Sequence, residues 1–218
     1  MKRTALFLVL SLIVASAHAQ LSGTYTISSN ASQNPDYTSF SAAATALAAG
    51  VSGQVVFEVA PGTYEEYVTL ANISGSSATS RVIFRGIGAD NQQVVVTSNA
   101  GYTDNSTLQL AGTDFVTFEN MTLTTTSENK AVVVKLQNGN SGLRFENVRF
   151  VGSVSSANLE NDKNLVYRIS GEWLDSNNAF VDCAFVNGYI GLYYQGHNIY
   201  QYNDGLLVEN CTFTNQCS

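Results

Sequence analysis

Apolar and polar residues alternate in short runs along most of this chain, and the runs keep returning to one phrase. FENMTL (Phe118 to Leu123), FENVRF (Phe145 to Phe150), FVDCAF (Phe180 to Phe185) and VENCTF (Val208 to Phe213) share a pattern. Each places an apolar residue, then Asn or Asp two positions on, then Leu or Phe three further. The polar members, Asn120, Asn147, Asp182 and Asn210, stand 27, 35 and 28 residues apart. A strand-type phrase returning at such an interval predicts a solenoid, in which each repeat is one coil laid on the last. In FENVRF the alternation points Phe145 and Phe150 inward and Glu146 and Arg149 outward, with Asn147 at a bend. Stacked in parallel, the Asn positions form a file. A buried carboxamide there satisfies itself and the bent backbone by bonding to the coils on either side. Left unpaired it costs about 1–3 kcal/mol.

Upstream, the period changes once. LSGTYTI (Leu21 to Ile27) alternates with Leu21, Tyr25 and Ile27 as anchors. Over residues 38–49, Phe40, Ala43, Ala44, Leu47 and Ala48 fall on one helical face, with Thr38 or Ser41 as the cap and Gly50 as the stop. A short amphipathic helix ahead of a run of strands suits the open end of a solenoid, where it covers apolar core and unpaired backbone. Gln54 to Val59, Tyr67 to Leu70, Arg81 to Phe84 and Gln93 to Thr97 read as strands, with a turn at Pro61-Gly62. The polar stretch Val154 to Leu165 is the largest insertion and predicts a loop leaving the body. The fold class is therefore all-β: a solenoid of parallel coils with a short N-terminal capping helix.

The first residues stand apart from this pattern. Lys2 and Arg3, the apolar run Ala5 to Ala15, and the small-residue site Ser16-Ala17-His18-Ala19 read as a secretory signal peptide over 1–19, leaving the β-helix domain at 20–218. The apolar run is short for a membrane anchor, and no other stretch spans a bilayer. The expected location is secreted or cell surface. Removing Lys2 and Arg3 with the leader takes the formal net charge from −7 to −9. Without a basic stripe the chain is no nucleic-acid binder. Cys183 and Cys211 hold the same place in successive phrases, where Met121 and Val148 stand upstream. Stacked equivalents lie roughly 4.8 Å apart. Two buried thiols are the favoured state, and a disulfide between them is the alternative in an oxidising compartment. Cys217 has no evident mate. No zinc spacing is present.

The Asn phrase, the helix TSFSAAATALAAG (Thr38 to Gly50) and VAPGTYEEYVTL (Val59 to Leu70) together resemble the right-handed parallel β-helix proteins of the pectin lyase-like superfamily. GTYEEYVTL is similar to the first coil of pectin methylesterases, and the resemblance covers nearly all of residues 21–218. It implies the fold strongly. For activity it implies lyases, hydrolases, esterases, epimerases and non-catalytic surface proteins alike.

Candidate chemistry is sparse. The chain has no DFIFG-like or GRPW-like segment of the methylesterases. It also lacks the Asn-Thr-Asp and Asp-Asp pairs of polygalacturonases, though Gly196-His197-Asn198 is present. A His beside Gly is more often a loop residue than a catalyst. Glu146, Arg149 and Asp182 lie on neighbouring coils, but Asp182 belongs to the inward file, so a lyase-type calcium cluster is not assembled. No cofactor is implied, and calcium stays open without a ligand set. Glu65 and Glu66 face opposite ways on a strand and read as solvated acids. Tyr189, Tyr193, Tyr194, Tyr200 and Tyr202, with His197, concentrate in one stretch. Ile190 and Leu192 suit the inward face there, which turns Tyr189 and Tyr193 outward, and the stretch reads as a stacking platform for sugar rings.

Two functions follow, with a purely structural spacer as the third reading. One is a non-catalytic surface module in glycan contact or adhesion, with a polysaccharide or cell-surface glycan as partner. The other is a polysaccharide lyase, hydrolase or esterase with catalytic coils beyond residue 218, since the chain stops directly after a complete phrase. Two acids and a basic residue on one outer sheet in successive coils would favour the enzyme, and a flat aromatic patch without acids would favour binding.

Overall fold

The computed structural model describes residues 19–99, 106–127, 132–154, 163–168, 171, 173–197 and 202–216. The chain opens with β1 (Leu21–Ile27), a single 3-10 turn (Ala31–Gln33) and α1 (Phe40–Leu47). The first coil is β2 (Val51–Val59), β3 (Gly62–Glu65) and β4 (Val68–Leu70), and the second is β5 (Val82–Gly86), β6 (Val94–Thr97) and β7 (Ser106–Ala111). The next two are β8 (Val116–Thr124) with β9 (Val132–Gln137), then β10 (Arg144–Val151) with β11 (Val166–Arg168). β12 (Ala179–Val181), β13 (Ala184–Val186) and β14 (Leu192–Tyr194) follow, and β15 (Leu207–Glu209) and β16 (Thr212–Thr214) begin the last coil. Every strand pairs in parallel with its equivalent one coil away. The result is a right-handed parallel β-helix of about six turns.

Each coil has three faces. The first face runs β1-β2-β5-β8-β10-β12-β15. The second runs β3-β6 and then through the far halves of β8 and β10 to β13 and β16. The third is a separate sheet, β4-β7-β9-β11-β14. Alternation along the strands fills the interior with stacked files. Phe57, Phe84, Phe118, Phe145 and Phe180 lie ring over ring, with successive centroids 4.8, 5.2, 5.5 and 5.1 Å apart. Phe150, Phe185 and Phe213 form a second file at 4.9 and 4.5 Å. Such contacts add about 0.5–1.5 kcal/mol each beyond the area they bury.

The Asn phrase marks the corner between the first and second faces. Asn120 (φ 53°) and Asn147 (φ 51°) bend β8 and β10 in mid-strand. Asp182 (φ 54°) and Asn210 (φ 52°) part β12 from β13 and β15 from β16. This left-handed conformation is one that Asn and Asp adopt at less cost than other non-glycine residues. It also corrects an expectation. The corner turns these side chains to the rim, and Asn147, Asp182 and Asn210 are exposed rather than buried. Asn147 Nδ2 donates to Asn120 Oδ1 (2.9 Å), and Asn120 Nδ2 donates to the Gly86 carbonyl (2.8 Å). Gly86 is required here, since a Cβ on it would lie 2.1 Å from the Asn120 carbonyl oxygen.

The N-terminal end is closed by two devices. β1 extends the first face by one strand, and α1 packs against β1 and β4, burying Phe40, Ala43 and Leu47. The cap residue is Ser39, whose Oγ accepts from the Ala42 N–H (3.0 Å), rather than Thr38 or Ser41. Glu66 is no solvated acid. Its two oxygens accept from the N–H groups of Phe40 (2.9 Å) and Ser41 (2.8 Å), the free donors of the first helical turn. Glu65, on the opposite side, is exposed.

Candidate functional site

The outer side of the first face carries a charged file. Strand alternation turns Phe57, Phe84, Phe118 and Phe145 inward, so the residue after each points outward. Those residues are Glu58, Arg85, Glu119 and Glu146, brought side by side by the ladder register. Arg85 Nε lies 2.6 Å from Glu119 Oε2, and this contact, with Glu58 adding to it, pushes the guanidinium pKa up. In the adjoining file Arg144 Nε donates to Glu146 Oε2 at 2.8 Å. Three acids and two arginines therefore share one outer sheet across four successive coils. Val181 interrupts the file, and Glu209 resumes it on the last coil.

A second set of polar groups lies inside. The third face has an inward file of leucines, Leu70, Leu110 and Leu136, whose next members are Arg168 and Tyr194. Arg168 is fully buried and faces Asp175, with Nε 3.0 Å from Oδ1 and both side chains 1% exposed. That Nε is off the line a hydrogen bond needs, so the pair is held by charge, while an Arg168 Nη2 proton is donated to the Trp173 carbonyl. Tyr194 donates to Asp175 Oδ2 (2.7 Å) and accepts from Asn178 Nδ2 (2.8 Å). Burial, reinforced by the Asp175 charge, pushes its phenol pKa well up.

Asp175 also belongs to a buried ladder at the corner between the third and first faces. Asn140 Oδ1 accepts from the Thr113 N–H (2.9 Å), Asp175 Oδ1 from the Asn140 N–H (2.8 Å) and Asn203 Oδ1 from the Asp175 N–H (2.9 Å). Each side chain thus satisfies the backbone of its neighbouring coil. A sequence signal for it exists. Thr113, Asn140, Asp175 and Asn203 each stand five residues before the first core residue of a phrase, Phe118, Phe145, Phe180 and Val208.

The tyrosine stretch does not form one platform. Leu192 and Tyr194 pack toward the core, which removes Tyr194 from any sugar-facing surface. Tyr193 points outward and lies against Tyr167 of the preceding coil, with centroids 5.1 Å apart. Tyr189 and His197 are half-buried, Tyr202 is exposed, and Tyr200 lies outside the described residues. Asp182 stands at the exposed rim, so its exclusion from surface chemistry on grounds of burial does not hold. Arg149 lies on the second face and Glu146 on the first, with the Asn147 bend between them. Among the described residues no group of three or more His, Cys, Asp or Glu is placed to hold a metal.

Cys183 and Cys211 carry free thiols, and burial raises the Cys183 pKa to about 12. Cys217 and the leader, residues 1–18 in particular, lie outside the described residues. No described helix is long and apolar enough to cross a bilayer.

Two concavities flank these elements. One of about 380 Å³ lies between α1 and β4, where Ala44, Leu47, Leu70 and Ile73 line it, and it is a gap under the cap. The other, about 650 Å³, lies along the outside of the buried ladder, between Asn72, Asp114, Asn138 and Trp173.

Comparison with solved structures places the architecture. A pectin methylesterase from Aspergillus niger superposes with a TM-score of 0.60 at 15% identity, covering 91% of this chain and 59% of that one. Pectin methylesterase PemA from Erwinia chrysanthemi gives 0.60 at 14%, covering 89% and 56%. The pectin methyl esterase of rice weevil gives 0.56 at 15%, covering 95% and 68%. No family model and no curated protein matches the chain. The fold is thus the pectin lyase-like β-helix. The chain spans about three fifths of the length of the first two of these esterases.

Proposed function

We propose that this chain forms coils of a secreted polysaccharide-active enzyme of the carbohydrate esterase type, which meets its polymer along the outer side of the first face. The observation that carries the reading is the file Glu58–Arg85–Glu119–Glu146 with Arg144 beside it. Acids and guanidinium groups on one sheet in successive coils are what an enzyme of this shape needs and what a purely aromatic platform lacks. The arginines match the carboxylates of a uronate polymer, and a carboxylate held against a guanidinium is oriented for work on an ester. In ester hydrolysis water adds to the acyl carbon, methanol leaves, and a carboxylate remains on the polymer. The pectin methylesterase neighbours support this reading, and one of them is described in complex with a hexasaccharide. Export through the leader at residues 1–19 belongs to the same proposal.

The test is methanol and uronate release by the full-length protein on methyl-esterified polygalacturonan. Wild type is expected to release methanol. Glu119→Gln is expected to lose about 10²-fold or more, the usual size of a positioned acid–base group, at an unchanged melting temperature. No methanol release by wild type, with or without uronate release, or full activity in Glu119→Gln, overturns the reading.

A further inference from the structure

Trp173 is the sole tryptophan of the chain and stands 69% exposed. Among the described residues it is the one exposed aromatic that borders the larger concavity, and an apolar ring in water beside a concavity asks for a partner. The groove beside it, about 650 Å³, has Asn72, Asn138 and Asp114 on its walls. Gly139 packs against the Trp173–Leu174 backbone: a Cβ there would sit 3.0 Å from both the Trp173 Cβ and the Leu174 carbonyl oxygen, so the missing side chain lets this segment seat. The backbone of Trp173 is also held from inside. The Trp173 carbonyl accepts from Arg168, and Asp175, two residues on, is the buried partner of that same guanidinium. The backbone under the ring is therefore preorganised, which lowers the ordering cost of a ligand.

We propose that Trp173 and this groove form a subsite for one neutral sugar residue, distinct from the charged file of the first face. The apolar face of a sugar ring stacks on the indole, and the ring hydroxyls meet the carboxamides of Asn72 and Asn138. Asp114 sets the charge preference. Its Oδ1 accepts from the Ser141 N–H (2.7 Å), and its other oxygen is left to bind a hydroxyl. Among the described residues no cationic side chain lines the groove, so an ionised uronate is disfavoured there, while a neutral sugar or a methyl-esterified uronate is accepted. The subsite does not depend on the chain's being an esterase.

As the sole tryptophan, Trp173 reports on its own site. Intrinsic fluorescence of the full-length protein is titrated with a neutral xylo-oligosaccharide, a fully methyl-esterified oligogalacturonide and its de-esterified form. The first two are expected to change the emission, and the third to do so only at about tenfold or higher concentration. By calorimetry Trp173→Ala is expected to weaken the neutral ligand about tenfold, the scale of one aromatic stacking contact, at an unchanged melting temperature. Asp114→Asn is expected to narrow the gap between the esterified and de-esterified ligands. Glu119→Gln, which tests the esterase reading, leaves the fluorescence response intact. An emission indifferent to all three ligands, an equal response to the charged one, or unchanged affinity in Trp173→Ala overturns the proposal.

Discussion

At the scale of single residues, the buried Arg168–Asp175 pair is the least expected feature of the interior. It takes a place where the preceding coils hold leucine, and removing two charges from water is costly unless both stay paired. Asp175→Asn keeps the backbone acceptor of the ladder but strands the guanidinium, and is expected to cost about 3–5 kcal/mol by urea unfolding. Arg168→Leu combined with Asp175→Asn continues the leucine file without a charge, and is expected to recover most of that loss. A double variant as unstable as the single one would show that the pair is not the source of the effect. The pattern of phrases located none of this, because Arg168 lies on a three-residue strand with no alternation to read.

At the scale of elements, α1 is joined to the first coil by one side chain. Glu66 accepts both leading N–H groups of the helix, at its positive dipole end, and Ser39 accepts a third. Glu66→Ala is expected to lower stability by about 1–2 kcal/mol. Glu65→Ala, at the exposed neighbour, should stay within about 0.5 kcal/mol of wild type. Denaturant midpoints of the two variants check this, and equal midpoints would detach the helix from Glu66. The helix itself was legible from Phe40, Ala43 and Leu47. The role of Glu66 was not, because the strand period says which way a residue points and nothing about what stands 26 residues away.

At the scale of the whole molecule, stability should follow position in the stack. A solenoid coil is held by its two neighbours, so interior coils are doubly supported and terminal ones are not. β8 and β10 have partners on both sides, whereas β1 has one partner, β2, among the described strands. Amide hydrogen exchange is expected to be slower in β8 and β10 than in β1. Uniform protection across the coils would mean one cooperative unit instead.

The sequence alone settled the stacking: a phrase with apolar residues at its ends and Asn or Asp at its bend builds parallel coils, since period-two alternation and backbone preference both act within a few residues. It also placed Cys183 and Cys211 on successive coils and Glu146 on the outside. What only the tertiary structure decided is which groups meet across coils. The charged file of Glu58, Arg85 and Glu119 and the seat of Trp173 on Gly139 join residues 27 or more positions apart. The register between coils, set by interlocking of the core files, brings them together, and no local pattern encodes it.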